Sequence, residues 1–395
     1  MPADYACEPS TIRALPRRPA SRIPLRRRIL YVALLLSAAL GGLELFARWW
    51  SPLTYDQWRA RFLRFEWPSD RFCKAVPGQY VFDGQVVTIN GLGLRGPEPI
   101  IPKPPNVRRI LVLGGSAVFN AWASDERTWP RALEEKLSAK LHQTVEVING
   151  STPGYCLYQS VNRWEDEFAR FEPDLVIVDH LWNDLKAFAY STHRDYLSVW
   201  KPPDPKTAAL NPYRDRPLLD LLSRNIHLVS KIRLHRIWAA MQRGEIGAEG
   251  ASPPSNVAAY QRWALEFYRQ NLRRLTALTA ERGIPLMIVD QPLLIRDGVV
   301  PQELIDGSPP LQRVRYLGLT CEAALEAIAA ARRVSQECAD ACGATVIKTA
   351  DTLPATKEYF RDHVHLTDRG IEALAATVTR EVVVHWGRSF ESASR

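Results

Sequence analysis

The chain has 395 residues, 46% hydrophobic and 24% charged, with a formal net charge of +8. With 29 prolines, 21 glycines and six cysteines it is neither collagen-like, nor wholly disordered, nor a small disulfide framework. The length suits one large domain or two ordinary ones, and the basic excess points to nucleic acid, an anionic membrane or nothing, depending on where it lies.

Residues 1–28 concentrate it: Arg13, Arg17, Arg18, Arg22, Arg26, Arg27 and Arg28 stand against Asp4 and Glu8, a net +5. Ile29 to Leu43 then runs without a charge, and Leu45, Phe46 and Ala47 extend the run past a single acid, Glu44. A helix over 29–47 approaches the ~20 residues that cross a bilayer, with Trp49 and Trp50 where an interfacial aromatic belt lies. A buried core helix seldom begins beneath an arginine cluster, so the expectation is a transmembrane signal anchor. Ser37-Ala38-Ala39 offers a small-residue cleavage site, but the apolar run continues past it, and Arg26-Arg27-Arg28 has only a loose likeness to a twin-arginine export signal. The positive-inside rule keeps the basic tail in the cytoplasm and places everything beyond Trp50 outside, in a periplasm or at the cell surface. Five cysteines, Cys73, Cys156, Cys321, Cys338 and Cys342, fall in the exported part, an odd number; Cys7 precedes the anchor. Cys338 and Cys342 fit neither a metal nor a redox pattern and read as small buried residues.

The lead-in, 48–106, is irregular apart from a strand-like run at 80–89 before Asn90-Gly91, and a proline-rich connector at 97–105 closes it. Regular apolar runs follow at 109–113, 145–148, 175–178, 286–289 and 344–347. Runs apolar on both faces are strands of a parallel sheet covered on each side. Between them Tyr260, Ala264, Phe267, Asn271, Leu275 and Leu278 recur at helical spacing with Gly283 as the closing cap, and Thr367 is placed to cap a last helix carrying Ile371, Leu374, Ala375, Val378 and Val382. The predicted domain over about 107–388 is therefore α/β: a three-layer, doubly wound (flavodoxin-like) parallel sheet of about five strands.

An insertion at 191–256 interrupts the alternation, with ten Lys and Arg against six acids, a net +4. Leu218, Leu222, Ile226, Val229, Ile232 and Trp238 can line one helical face, with Arg224, Lys231 and Arg236 near its edges. A lid or membrane-surface helix fits this pattern, but a helix packed on the domain with a solvated basic face is the simpler expectation. Tail and insertion together account for the charge, so the framework is nearly neutral and a diffuse nucleic-acid surface is not expected.

Ligands of an open parallel sheet sit beyond the carboxyl ends of its strands. The loops there carry Gly114-Gly115-Ser116, then Asn149 to Tyr155, then His180-Leu181-Trp182-Asn183-Asp184, and, before the last helix, Asp362-His363-Val364-His365. Ser116 on a glycine-rich strand-to-helix turn can act as nucleophile, His365 as its base, and Asp362 as the group holding the other imidazole nitrogen. The N–H groups of Ser116 and Gly154 and the amide of Asn183 are candidate oxyanion donors. Singly each signal is weak, a turn serine or an accidental Asp-x-x-His; four in order, each after a strand, argue together. His363 and His365 alone make a poor metal pattern, and no metal or organic cofactor is implied.

These segments resemble the SGNH hydrolases, the GDSL-type esterases and lipases, over about 280 residues. The resemblance implies Ser116 as nucleophile and oxyanion donor, Gly154 and Asn183 as further donors, and His365 as base, with Asp362 completing a triad. The run Asn90-x-x-Gly93-x-Arg95-Gly96-Pro97-Glu98 resembles the lead-in of membrane-anchored bacterial members. Gly115 replaces the family's Asp and Leu181 a family Gly, so a strained presentation of Asn183 is expected if that backbone is glycine-only. Trp182 and Phe119 either wall the pocket or pack in the core. The expected protein is thus a membrane-anchored extracytoplasmic serine esterase acting on O-acyl, including O-acetyl, esters of glycans or lipids. An O-acyltransferase with the same residues, or a silent envelope-assembly protein, are the alternatives, and the sequence names no protein partner.

Overall fold

In the computed structural model, residues 24–50, 63–198, 217–242, 257–295, 317–349 and 352–393 are described. Most of the basic tail, residues 1–23, and parts of the insertion, 199–216 and 243–256, lie outside them. Helix α1 (Leu25–Trp50) is apolar and exposed along its length, long enough by composition to cross a membrane, and Ala47 is its buried residue.

The lead-in forms two small antiparallel pairs, β1 (Phe65–Glu66) with β2 (Lys74–Ala75) and β3 (Gly78–Phe82) with β4 (Gln85–Ile89). Five parallel strands follow: β5 (Arg108–Gly114), β6 (Val145–Asn149), β7 (Leu175–Asp179), β8 (Leu286–Val289) and β9 (Thr345–Ile347). Their order is β6-β5-β7-β8-β9, so the chain reverses direction about β5. The predicted strands thus stand to within a residue or two, in the doubly wound arrangement.

Alternate strand residues enter different layers. Leu111, Leu113, Val176, Val178 and Ile288 pack with α4 (Leu157–Asp166), α7 (Arg262–Ala280) and α8 (Cys321–Cys342). Ile110, Val112, Leu175, Ile177 and Met287 pack with α3 (Trp129–Leu141) and α9 (Asp368–Ala393). A strand buried on both faces needs apolar residues at every position, which is why these runs do not alternate. Gly283, at φ +65, lets the Ile284 N–H donate back to Thr279 O and ends α7; Thr367 Oγ1 accepts from Gly370 N at 3.2 Å and starts α9.

Two expectations are corrected. The described part of the insertion is not one helix packed through an apolar face but two, α5 (Pro217–Asn225) and α6 (His227–Gln242), with Leu218, Leu222, Ile226 and Ile232 exposed. Helical spacing shows that a stripe exists, not which way it faces. Cys338 is buried as expected, but Cys342, at the end of α8, is exposed; the cysteines of the described residues are all unpaired.

Candidate active site

Strand β5 ends at Gly114, Gly115 follows it, and Ser116 opens the short helix α2 (Ser116–Phe119). Both glycines are required by contact: a Cβ on Gly114 would strike Val118, and one on Gly115 would strike Asn183 Nδ2 and Tyr155 O. Gly115 in place of an acid therefore leaves the room that the Asn183 amide occupies.

The second half of the site is a tight loop before α9. It is pinched by the Phe360–Leu366 bridge and by Arg361 N–H donating to His365 O at 2.8 Å. Asp362 Oδ1 accepts from the N–H groups of Val364 (3.0 Å) and His365 (2.9 Å), so the carboxylate is fixed by local backbone. His365 Nδ1 then lies 2.9 and 2.8 Å from the two carboxylate oxygens, and His365 Nε2 lies 2.9 Å from Ser116 Oγ. A proton on Nδ1 facing the carboxylate leaves Nε2 free to accept from the hydroxyl. Burial works to raise Asp362, but the hydrogen bond and charge of His365, the charge of His363 and the Val364 N–H outweigh it and hold the carboxyl far below its ordinary range.

The loop after β7 faces this pair. Asn183 Nδ2 donates to Tyr155 O at 2.8 Å, which joins it to the turn containing Gly154, itself at φ +85. Gly115, Ser116, Trp182, Asn183 and Val364 border one small cavity of about 10 Å³, room for about one water-sized body. Leu181 is buried in the core and is not among the residues of positive φ, so it occupies no glycine-only conformation and the expected strain is absent. Trp182 borders the cavity and packs at a tilt on His363 with ring centroids 3.9 Å apart, whereas Phe119 packs against the lead-in core.

Two supporting residues, Gln291 and Trp122, carry no signal in the sequence, and a third, Arg95, is named there only within the run Asn90 to Glu98. Gln291, after β8, accepts from Trp182 N at 2.8 Å and donates to Asp179 Oδ1 at 2.9 Å, tying the loop of Asn183 to the sheet; burial pushes Asp179 up to about 7. Trp122 sets its ring edge-on to His365, centroids 4.4 Å apart. Arg95, in the lead-in run noted by resemblance, is buried and donates to the carbonyls of Phe119, Asn120 (2.5 Å) and Ala123 (2.6 Å) and to Asp125 (3.0 Å). It therefore clamps the chain that leaves the helix of Ser116. The run around it closes on itself, Asn90 Oδ1 accepting from Leu92 N and Leu94 N. That signal was visible in the sequence; its purpose required the carbonyls to be located.

Residues 112–373, about two thirds of the chain, match the GDSL-like Lipase/Acylhydrolase family. The chain belongs to that family, and it is a serine hydrolase acting on ester bonds. Among solved structures it is similar to a GDSL-like lipase from Bacteroides thetaiotaomicron, at 10% identity and a TM-score of 0.38, covering 70% of this chain and 89% of that one. It is also similar to a lipase/acylhydrolase from Enterococcus faecalis, at 16% identity and a TM-score of 0.39, covering 70% and 95%. No curated protein sequence matches the chain.

Proposed function

We propose that this protein is a membrane-anchored, extracytoplasmic serine esterase in which Ser116, His365 and Asp362 form the catalytic triad. The observation that carries the reading is the unbroken chain Ser116 Oγ, His365 Nε2, His365 Nδ1, Asp362 carboxylate, every link 2.9 Å or less. Ser116 Oγ attacks the ester carbonyl while His365 Nε2 takes its proton, and Asp362 stabilises the imidazolium so formed. The oxyanion is received by the N–H groups of Ser116 and Gly154 and the amide of Asn183. His365 then protonates the departing alcohol, and a water activated by the same nitrogen hydrolyses the acyl-Ser116 ester.

The substrates are O-acyl esters of glycans or lipids beside the membrane. The anchor is 29–47, with 1–28 as cytoplasmic tail, 48–106 as lead-in and 107–388 as hydrolase domain with the insertion 191–256. Seven arginines before Ile29, the last three in the first turn of α1, and exposed Trp49 and Trp50 at its far end support this orientation.

A fluorophosphonate probe tests the chemistry. A covalent adduct on the full chain that Ser116→Ala abolishes is expected; no adduct, or an equal one on the variant, would overturn the triad. A series of p-nitrophenyl esters, from acetate to longer acyl chains, should be turned over by the parent and not by Ser116→Ala.

A further inference from the structure

Helices α5 and α6 are turned inside out. The side chains they bury are mainly polar: Asp220, Ser223, Ser230 and Arg233, with Ile237. Arg233 Nη1 donates to Asp220 Oδ1 at 2.6 Å and to Ser223 Oγ at 3.4 Å, joining the two helices through an internal ion pair. Five large apolar side chains point outward while Leu219, Leu228, Val229 and Leu234 are half-buried: Leu218 is 72% exposed, Ile232 55% and Leu221 53%, with Leu222 and Ile226 beside them. A hairpin in water would have the opposite arrangement, whereas one in contact with lipid pairs its polar groups within and turns its apolar residues out.

The same hairpin is fastened to the anchor. Glu44, the acid in the apolar run, accepts from the N–H groups of His227 (2.9 Å) and Leu228 (2.8 Å) at the start of α6 and from Arg48 Nε (2.8 Å). Arg48 also reaches Asn225 O at 3.5 Å. At a 1.5 Å rise per residue Glu44 lies about 22 Å beyond Ile29, inside the ~30 Å of a hydrocarbon core. A carboxylate at that depth needs partners from the protein, and its partners are the first N–H groups of α6. The junction of the hairpin therefore sits at the outer rim of the bilayer, and its exposed leucines and isoleucines lie where acyl chains begin. Arg224 and Arg236, exposed among them, are placed for lipid phosphates.

We propose that α5–α6 is a lipid-embedded hairpin, docked on the anchor through Glu44 and lying in the outer headgroup boundary of the bilayer that α1 crosses. The proposal rests on the anchor reading above. Its consequence is that the catalytic domain is held in a set attitude to the membrane, not tethered on a free stalk.

The test places photoreactive benzoylphenylalanine in the full chain, one position at a time, in vesicles of phosphatidylcholine and phosphatidylglycerol. Leu221 and Ile232 report the hairpin, Leu36 the anchor, and Lys140, exposed on α3, the solvent. Phospholipid adducts at 36, 221 and 232 but not at 140 are expected. Adducts at 36 without those at 221 and 232 would overturn the hairpin and leave the anchor standing, as would chain-to-chain adducts at 221 and 232, which would make a second copy the occupant. Absence of lipid adducts at 36 would overturn the anchor and the hairpin with it. Glu44→Gln should lower the lipid adduct at 221 to the level of position 140 while leaving 36 unchanged; an undiminished adduct would refute the docking.

Discussion

Two sets of serine, histidine and aspartate lie near the carboxyl end of the same sheet, and they differ in what the imidazole is given. Ser160 Oγ is 2.8 Å from His180 Nε2, as close as Ser116 Oγ is to His365. Asp184, however, stands 3.8 Å from His180 Nδ1, directs Oδ1 to the Leu157 N–H, and is pushed up to about 7 by burial. Burial likewise pushes His180 down to about 3. The longer contact and the raised Asp184 carboxyl give His180 a weaker counter-ion than Asp362 gives His365. Asp362 meets His365 with both oxygens and is kept far below its ordinary range. A short serine–histidine distance therefore does not make a base; a close carboxylate that stays charged does.

The largest effect should come from the serines themselves. Ser116→Ala should lower turnover of p-nitrophenyl acetate by about 10⁴- to 10⁶-fold, whereas Ser160→Ala should leave it within about threefold and show its cost in thermal stability. Equal losses in both would end the distinction. Asp362→Asn should lower kcat by about 10⁴-fold, because an amide cannot hold the imidazolium and favours the wrong tautomer. A smaller loss, about 10²- to 10³-fold in kcat, is expected from Asn183→Ala if its amide meets the oxyanion. Gly115→Ala should reproduce part of that loss without touching the triad, since the added methyl meets Asn183 Nδ2. A kcat unchanged in both would remove Asn183 from the oxyanion site.

What the sequence made legible follows from what local patterns can carry. Strands buried on both faces, the Ser116 turn and the Asp362–His365 loop are each short segments, and their residue types state their local geometry. Gln291 acts 112 residues away from Asp179, and Arg95 acts on carbonyls at 119–123; neither has a local pattern that names its target. The α5–α6 stripe was legible as a stripe, but its direction depends on whether water or lipid lies outside, which periodicity does not record. His180 beside Asp184 is the converse case: a His and Asp four apart, with a serine in reach, that the fold buries without a close carboxylate contact.

The smallest expected effect tests that second set through stability. Asp184 titrates at about 7 in the fold against an ordinary 3.8. Below the ordinary value both folded and unfolded chains are protonated and the group contributes nothing. As pH rises from there to about 7 the unfolded chain ionises first, so the folded state is progressively destabilised, and above that the penalty is constant. Asp184→Asn removes this dependence while keeping an oxygen for the Leu157 N–H. Asp179, pushed up to about 7 as well, and His180, whose penalty grows as pH falls below its ordinary 6.5, remain in both proteins and cancel in the comparison. The gain of Asp184→Asn over the parent, read from thermal melts, should therefore be larger at about pH 8 than at about pH 4, by on the order of 1–3 kcal/mol. An equal difference at both values would mean that Asp184 is ionised in the fold, and His180 would then have the counter-ion that now distinguishes His365.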